Sequence, residues 1–148
     1  MAKSIWNTAD RQSLLARFDS LQPDQRPLWG KMTASQMIRH CTLPLYSVMG
    51  ELNVKPKNTP FRYWPLQQLI IYVLPWPKGA PTAPEFIVTA EGDINDRRTA
   101  LRAAIDKFVA RGETQTFQDH AAFGKLTPKD WGAMVHRHLE HHLKQFGA

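Results

Sequence analysis

Apolar side chains recur at spacings of three and four in four stretches of this chain, and each stretch is bounded by residues that start or stop a helix. From about Thr8 to Leu21 the spaced residues are Leu14, Leu15 and Phe18, with Asn7 or Thr8 as N-cap and Pro23 just beyond the end. The second stretch opens at Thr-Ala-Ser-Gln, where Thr33 can cap and Gln36 can reach back in a capping box. Met37, Cys41, Leu45, Val48 and Leu52 continue its apolar face, and Pro44 within it removes one backbone donor and predicts a kink. The third stretch starts at Asp93 or Asn95, carries Leu101, Ile105, Phe108 and Val109 on one face, and closes at Gly112. The fourth has Thr127 as cap, Pro128 in the first helical position and Asp130 in the first turn, then continues to Phe146 and Gly147.

Between the second and third stretches, residues Pro65 to Leu74 predict a shorter helix packed across the others, followed by a Pro-rich loop from Pro75 to Pro84. Only Glu85 to Gly92 has the composition of a strand, and one strand cannot make a sheet. The expected fold is therefore all-α, a four-helix bundle with an additional short helix and a Pro-rich loop between the second and third core helices. With 148 residues, 43% of them hydrophobic, the chain can bury a core as a single domain over residues 1–148.

Composition narrows the function classes. The single cysteine, Cys41, excludes an internal disulfide framework, and the opening Met-Ala-Lys-Ser-Ile-Trp lacks the apolar core of a signal peptide, so a cytoplasmic location is expected. The longest apolar run, Leu69 to Trp76, is shorter than a spanning helix and is broken by Pro75. It is expected in the core, with an interfacial helix as the alternative, and no membrane partner is expected. The net charge of +6 is spread along the chain without interleaved aromatics, so nucleic acid is not the expected partner either.

The candidate chemistry lies in histidine. Four of the six histidines, His136, His138, His141 and His142, crowd into the last stretch. At ~100° per residue, with His138 at zero, His142 projects at about 40°, among Trp131, Val135, Leu139 and Phe146. His141 falls at the border of this apolar side and His136 near the opposite, solvent side. Imidazoles four residues apart on one helix face can clamp a single metal ion, and bare imidazoles on an apolar stripe are costly to bury. His40, one turn after Met37 on the second helix, is the natural third ligand, and three nitrogens leave a position open for water or substrate. His120 reads as a loop or capping residue and Cys41 as an inert buried thiol. No Ser/His/Asp order, phosphate loop or paired carboxylates are visible, and no catalytic base is identified.

The blocks Leu-Trp-Gly-Lys-Met-Thr-Ala-Ser-Gln-Met-Ile-Arg-His-Cys (28–41) and Phe-Gly-Lys-Leu-Thr through His-Leu-Glu-His-His-Leu-Lys-Gln-Phe-Gly (123–147) resemble the DinB/YfiT superfamily, in particular a branch catalogued as a domain of unknown function. The resemblance implies a four-helix bundle in which one histidine of the second helix and an HxxxH pair of the last hold a divalent metal. Residue by residue, that carries over to His40, His138 and His142, with Zn, Ni or Fe as the ion. It further implies a metal-dependent hydrolase or a thiol-dependent transferase acting on a small molecule or low-molecular-weight thiol, and a homodimer. The alternative is a non-catalytic metal-binding stress or interaction protein. Pro44, and the Cys-Thr-Leu-Pro-Leu-Tyr-Ser that continues from the histidine, depart from the family's usual unbroken second helix.

Overall fold

A computed structural model describes residues 2–148 and contains five α-helices, with no strand among those residues. They are α1 (Thr8–Ser20), α2 (Ala34–Val48), α3 (Leu66–Tyr72), α4 (Ile94–Arg111) and α5 (Pro128–Gln145), with 3-10 turns at Pro60–Arg62 and Pro84–Phe86. No helix among the described residues is long and apolar enough to cross a membrane.

Each long helix begins where its capping chemistry directs. Asn7 and Asp93 accept from the backbone N–H three residues on, at the starts of α1 and α4. Complete capping boxes form at Thr33 with Gln36 and at Thr127 with Asp130. Caps of this kind contribute about 1 kcal/mol each, and two of them start the helices that carry the histidines. The helix α2 runs unbroken through Pro44 to Val48, leaving Leu52 beyond its end. Because Pro44 has no N–H, the His40 carbonyl lacks its usual helical donor.

The four long helices pack in a closed ring, α1 on α5, α5 on α2, α2 on α4 and α4 on α1. The core between them includes Phe18, Met37, Ile38, Leu45, Leu101, Ile105, Phe108, Leu139, Leu143 and Phe146. Polar ties close the seams. Arg17 donates to Glu140 at 3.0 Å and to the Ala148 carbonyl at 2.7 Å, joining α1 to the end of α5, and Arg98 donates to the carbonyls of Asp19 and Leu21, joining α4 to α1. The amino-terminal segment crosses α5 at Gly132, whose carbonyl accepts from Ile5 N. A Cβ at 132 would lie 2.3 Å from the Trp6 ring, so only glycine admits this crossing.

Two expectations need correction. Glu85 to Gly92 is not a strand; it is an extended segment opened by a 3-10 turn and held by side chains. His40, Ser35, Gln36 and Arg97 donate to the carbonyls of Phe86, Gly92, Thr89 and Ala90 in place of a strand ladder. The apolar run around α3 is not core throughout: within α3 only Ile71 is fully buried, and Leu69, Val73 and Leu74 are exposed.

Candidate metal centre

Helices α2 and α5 bring His40, His138 and His142 together, with one ring nitrogen from each lying within 4.8 Å of the others. Among the described residues this is the one cluster of His, Cys, Asp or Glu compact enough to hold a metal ion. His40 and His142 are buried, whereas His138 keeps part of its surface accessible. The His40 ring packs edge-on to both partners, with centroids 5.2 Å from His138 and 4.6 Å from His142.

The hydrogen bonds around the cluster fix where the protons sit. His40 Nδ1 lies 2.8 Å from the Phe86 carbonyl, which can only accept, so the proton is on Nδ1 and Nε2 presents a lone pair. His138 Nε2 is 3.3 Å from that lone pair. His142 Nδ1 donates to Gln145 Oε1 at 2.7 Å, and the Gln145 amide is oriented by donation from its Nε2 to the Trp29 carbonyl at 2.9 Å. The Nε2 atom of His142 thereby presents a lone pair as well. Fixing a ligand histidine through its second nitrogen is the usual outer support of a metal site.

Electrostatics point the same way. Burial lowers the His40 pKa, against a smaller opposing effect of the Phe86 carbonyl. Burial, then the neighbouring His40, pushes His142 down to about 3. His138 is held well below its ordinary value by burial and by the two other rings. All three imidazoles are therefore neutral near pH 7, the form that ligates a metal. No carboxylate joins them, and this all-nitrogen set fits a borderline ion such as Zn, Ni or Fe better than Mg or Ca.

Two tryptophans flank the cluster. Trp76 lies 6.3 Å from His138 and 5.8 Å from His141 between centroids, and Trp29 meets His141 edge-on at 5.6 Å. Arg137 stacks on Trp76 and donates to the carbonyls of Ile70, Ile71 and Leu74, tying the end of α3 to α5. Lys78 sits over the Trp29 ring.

The other singled-out residues have different roles. His136 is buried, not solvent-facing as its helical projection predicts. The amino-terminal segment lies over that side of α5, and Ala2 and Lys3 line a cavity together with His136. His120 is a loop residue whose Nδ1 accepts from the backbone N–H groups of Ala122 and Phe123. Cys41 is a buried thiol near Met37, its pKa pushed up by burial. Gln145, the Phe86 carbonyl and the two tryptophans were not anticipated. Only Gln145 carried a signal, since it stands one helical turn after His142.

Comparison with sequence models of protein families supplies the identity. The model of the DinB superfamily matches residues 7–146, and the chain belongs to that superfamily. No curated protein and no solved structure matches the chain.

Proposed function

We propose, from membership of the DinB superfamily and the geometry of the three histidines, that this protein is a cytoplasmic four-helix bundle of one domain that binds one divalent Zn, Ni or Fe ion through His40, His138 and His142. The observation that carries the reading is the pair of carbonyl acceptors, Phe86 O on His40 Nδ1 and Gln145 Oε1 on His142 Nδ1, which leaves the Nε2 atoms of both rings unprotonated, with His138 Nε2 3.3 Å from that of His40. Two neutral rings held this way, beside a third, present nitrogen lone pairs close enough together to meet on one ion.

Three protein nitrogens leave a coordination position open, and the accessible side of His138 is where a substrate would enter. A divalent ion there supplies Lewis acidity, polarising a substrate or lowering the pKa of a bound water or thiol. The chain's own contribution is to fix the protons of His40 and His142 away from the ion and to place Trp29 and Trp76 beside the cluster. That arrangement supports a metal-dependent hydrolase or a thiol-dependent transferase acting on a small molecule.

Metal analysis of protein purified without nickel affinity tests the site itself: wild type carries close to one equivalent and a His40→Ala/His142→Ala variant carries none. Equal content in both refutes it. A screen of the metal-loaded protein with small thiols and electrophiles then separates enzyme from binding protein.

A further inference from the structure

Eight large apolar side chains stand exposed among the described residues, and six of them fall between Phe61 and Leu74. They include Tyr63, Trp64 and Val73, with 63%, 80% and 66% of their surface exposed. No charged residue occurs between Arg62 and Lys78. Isolated exposed apolar residues are ordinary, but a cluster of this kind marks a surface that meets another phase or partner.

The helix α3 shows that the cluster is not a core face left slightly open. At ~100° per residue, Leu66, Leu69, Ile70 and Val73 share one arc of about 100°, and Gln67, Gln68, Ile71 and Tyr72 share the opposite side. The polar residues face inward. Gln67 donates to the carbonyls of Phe123 and Lys125, and Tyr72 donates to Asp130 at 2.6 Å. A helix that spends its polar groups on the protein and turns its apolar groups outward has the reverse of the polarity water favours.

The charges around the face select its occupant. Arg62 bounds the segment in sequence, and the exposed Lys57 and Lys125 lie beside it, their carbonyls accepting from Arg62 and Gln67. The one acidic group that α3 contacts through hydrogen bonds, Asp130, is buried and bonded to Tyr72 and Gln68. A two-fold pairing of this face with a second copy would set these cations against one another. An anionic lipid surface complements both features, taking up the aromatic and aliphatic side chains at the headgroup boundary while the cations meet lipid phosphates. We infer that the outer face of α3, with Tyr63 and Trp64 at one end and Val73 and Leu74 at the other, docks the protein peripherally on an anionic membrane surface.

The test is co-sedimentation of the full chain with vesicles of phosphatidylcholine alone and of equal parts phosphatidylcholine and phosphatidylglycerol. The protein sediments with the mixed vesicles and is released by added salt. Val73→Asp and, separately, Lys57→Glu/Lys125→Glu lower the partition coefficient on the order of tenfold, with circular dichroism confirming that each variant is folded. Absence of binding to the mixed vesicles by folded wild-type protein overturns the inference, as does binding that Val73→Asp leaves intact. A dimer in sedimentation velocity that Val73→Asp dissociates, without vesicle binding, also overturns it and assigns the face to a second copy.

Discussion

The histidine seam between α2 and α5 and the outer face of α3 both reverse the usual placement of polar and apolar groups, but only one reversal is resolved within the chain. At the seam, imidazoles are buried, and the Phe86 carbonyl and the Gln145 amide answer two of their nitrogens. On α3, Leu69 and the adjoining Val73 and Leu74 face outward, and no described residue buries them. A buried polar group costs free energy unless it is paired, and the seam meets that cost with the Phe86 carbonyl, the Gln145 amide and the His138–His40 contact at 3.3 Å, a nitrogen set on which an ion would fit. An exposed apolar face gains only when water is removed from it, so α3 calls for a surface.

The sharpest way to break this comparison is on α3 itself. Ile71→Ala, on the inner side, is expected to cost about 2–5 kcal/mol in urea unfolding. Val73→Ala, on the outer side, stays within about 0.5 kcal/mol. Equal losses would mean that the outer face is packed in solution and would remove the contrast.

At the seam, Gln145→Leu removes the acceptor of His142 Nδ1 without touching a ligand atom. Metal affinity measured by calorimetric titration is expected to fall about 10–100-fold. Unchanged affinity would reduce the Gln145 contact to ordinary packing. Gly30 bears on the same contact: its φ is +81°, and a Cβ there would lie 2.8 Å from Gln145 Nε2, so Gly30→Ala weakens metal binding in the same direction.

A smaller effect concerns His120, a paired imidazole outside the cluster. Burial, and then the Arg62 charge, push its pKa down to about 4 from an ordinary 6.5. Its Nδ1 also accepts two backbone hydrogen bonds, which only the unprotonated nitrogen can do. Above pH 6.5 the residue is neutral folded and unfolded and contributes no pH dependence. Below 6.5 the unfolded chain binds the proton first, so stability falls as pH drops toward 4. His120→Asn, whose side-chain oxygen can accept the same N–H groups, flattens that part of the stability profile; an unchanged profile would move the acid sensitivity elsewhere.

Much of this was legible in the sequence because it is local. Thr33 with Gln36, and Thr127 with Pro128 and Asp130, announce the starts of α2 and α5 through chemistry contained within four residues. The periodicity of α5 likewise brings His138 and His142 to one side, and His40 follows from its place one turn after Met37. What was not legible depends on distant parts of the chain. The projection turned His136 to solvent because it cannot represent an amino-terminal segment laid over α5 at Gly132. The strand-like composition of 85–92 misled because its backbone is satisfied by side chains of α2 and α4. The short α3 looked like core because its apolar residues outnumber its polar ones; only the inward bonds of Gln67 and Tyr72 reveal which side faces out.

The central claim is that three imidazoles of this chain bind one metal ion. X-ray absorption at the edge of the ion carried by the purified protein tests it most directly. The account predicts three imidazole nitrogen scatterers, at about 2.0–2.1 Å if the ion is zinc, reduced in number in the His40→Ala variant. A shell of oxygen scatterers without the imidazole signature, or an unaltered spectrum in that variant, would contradict it.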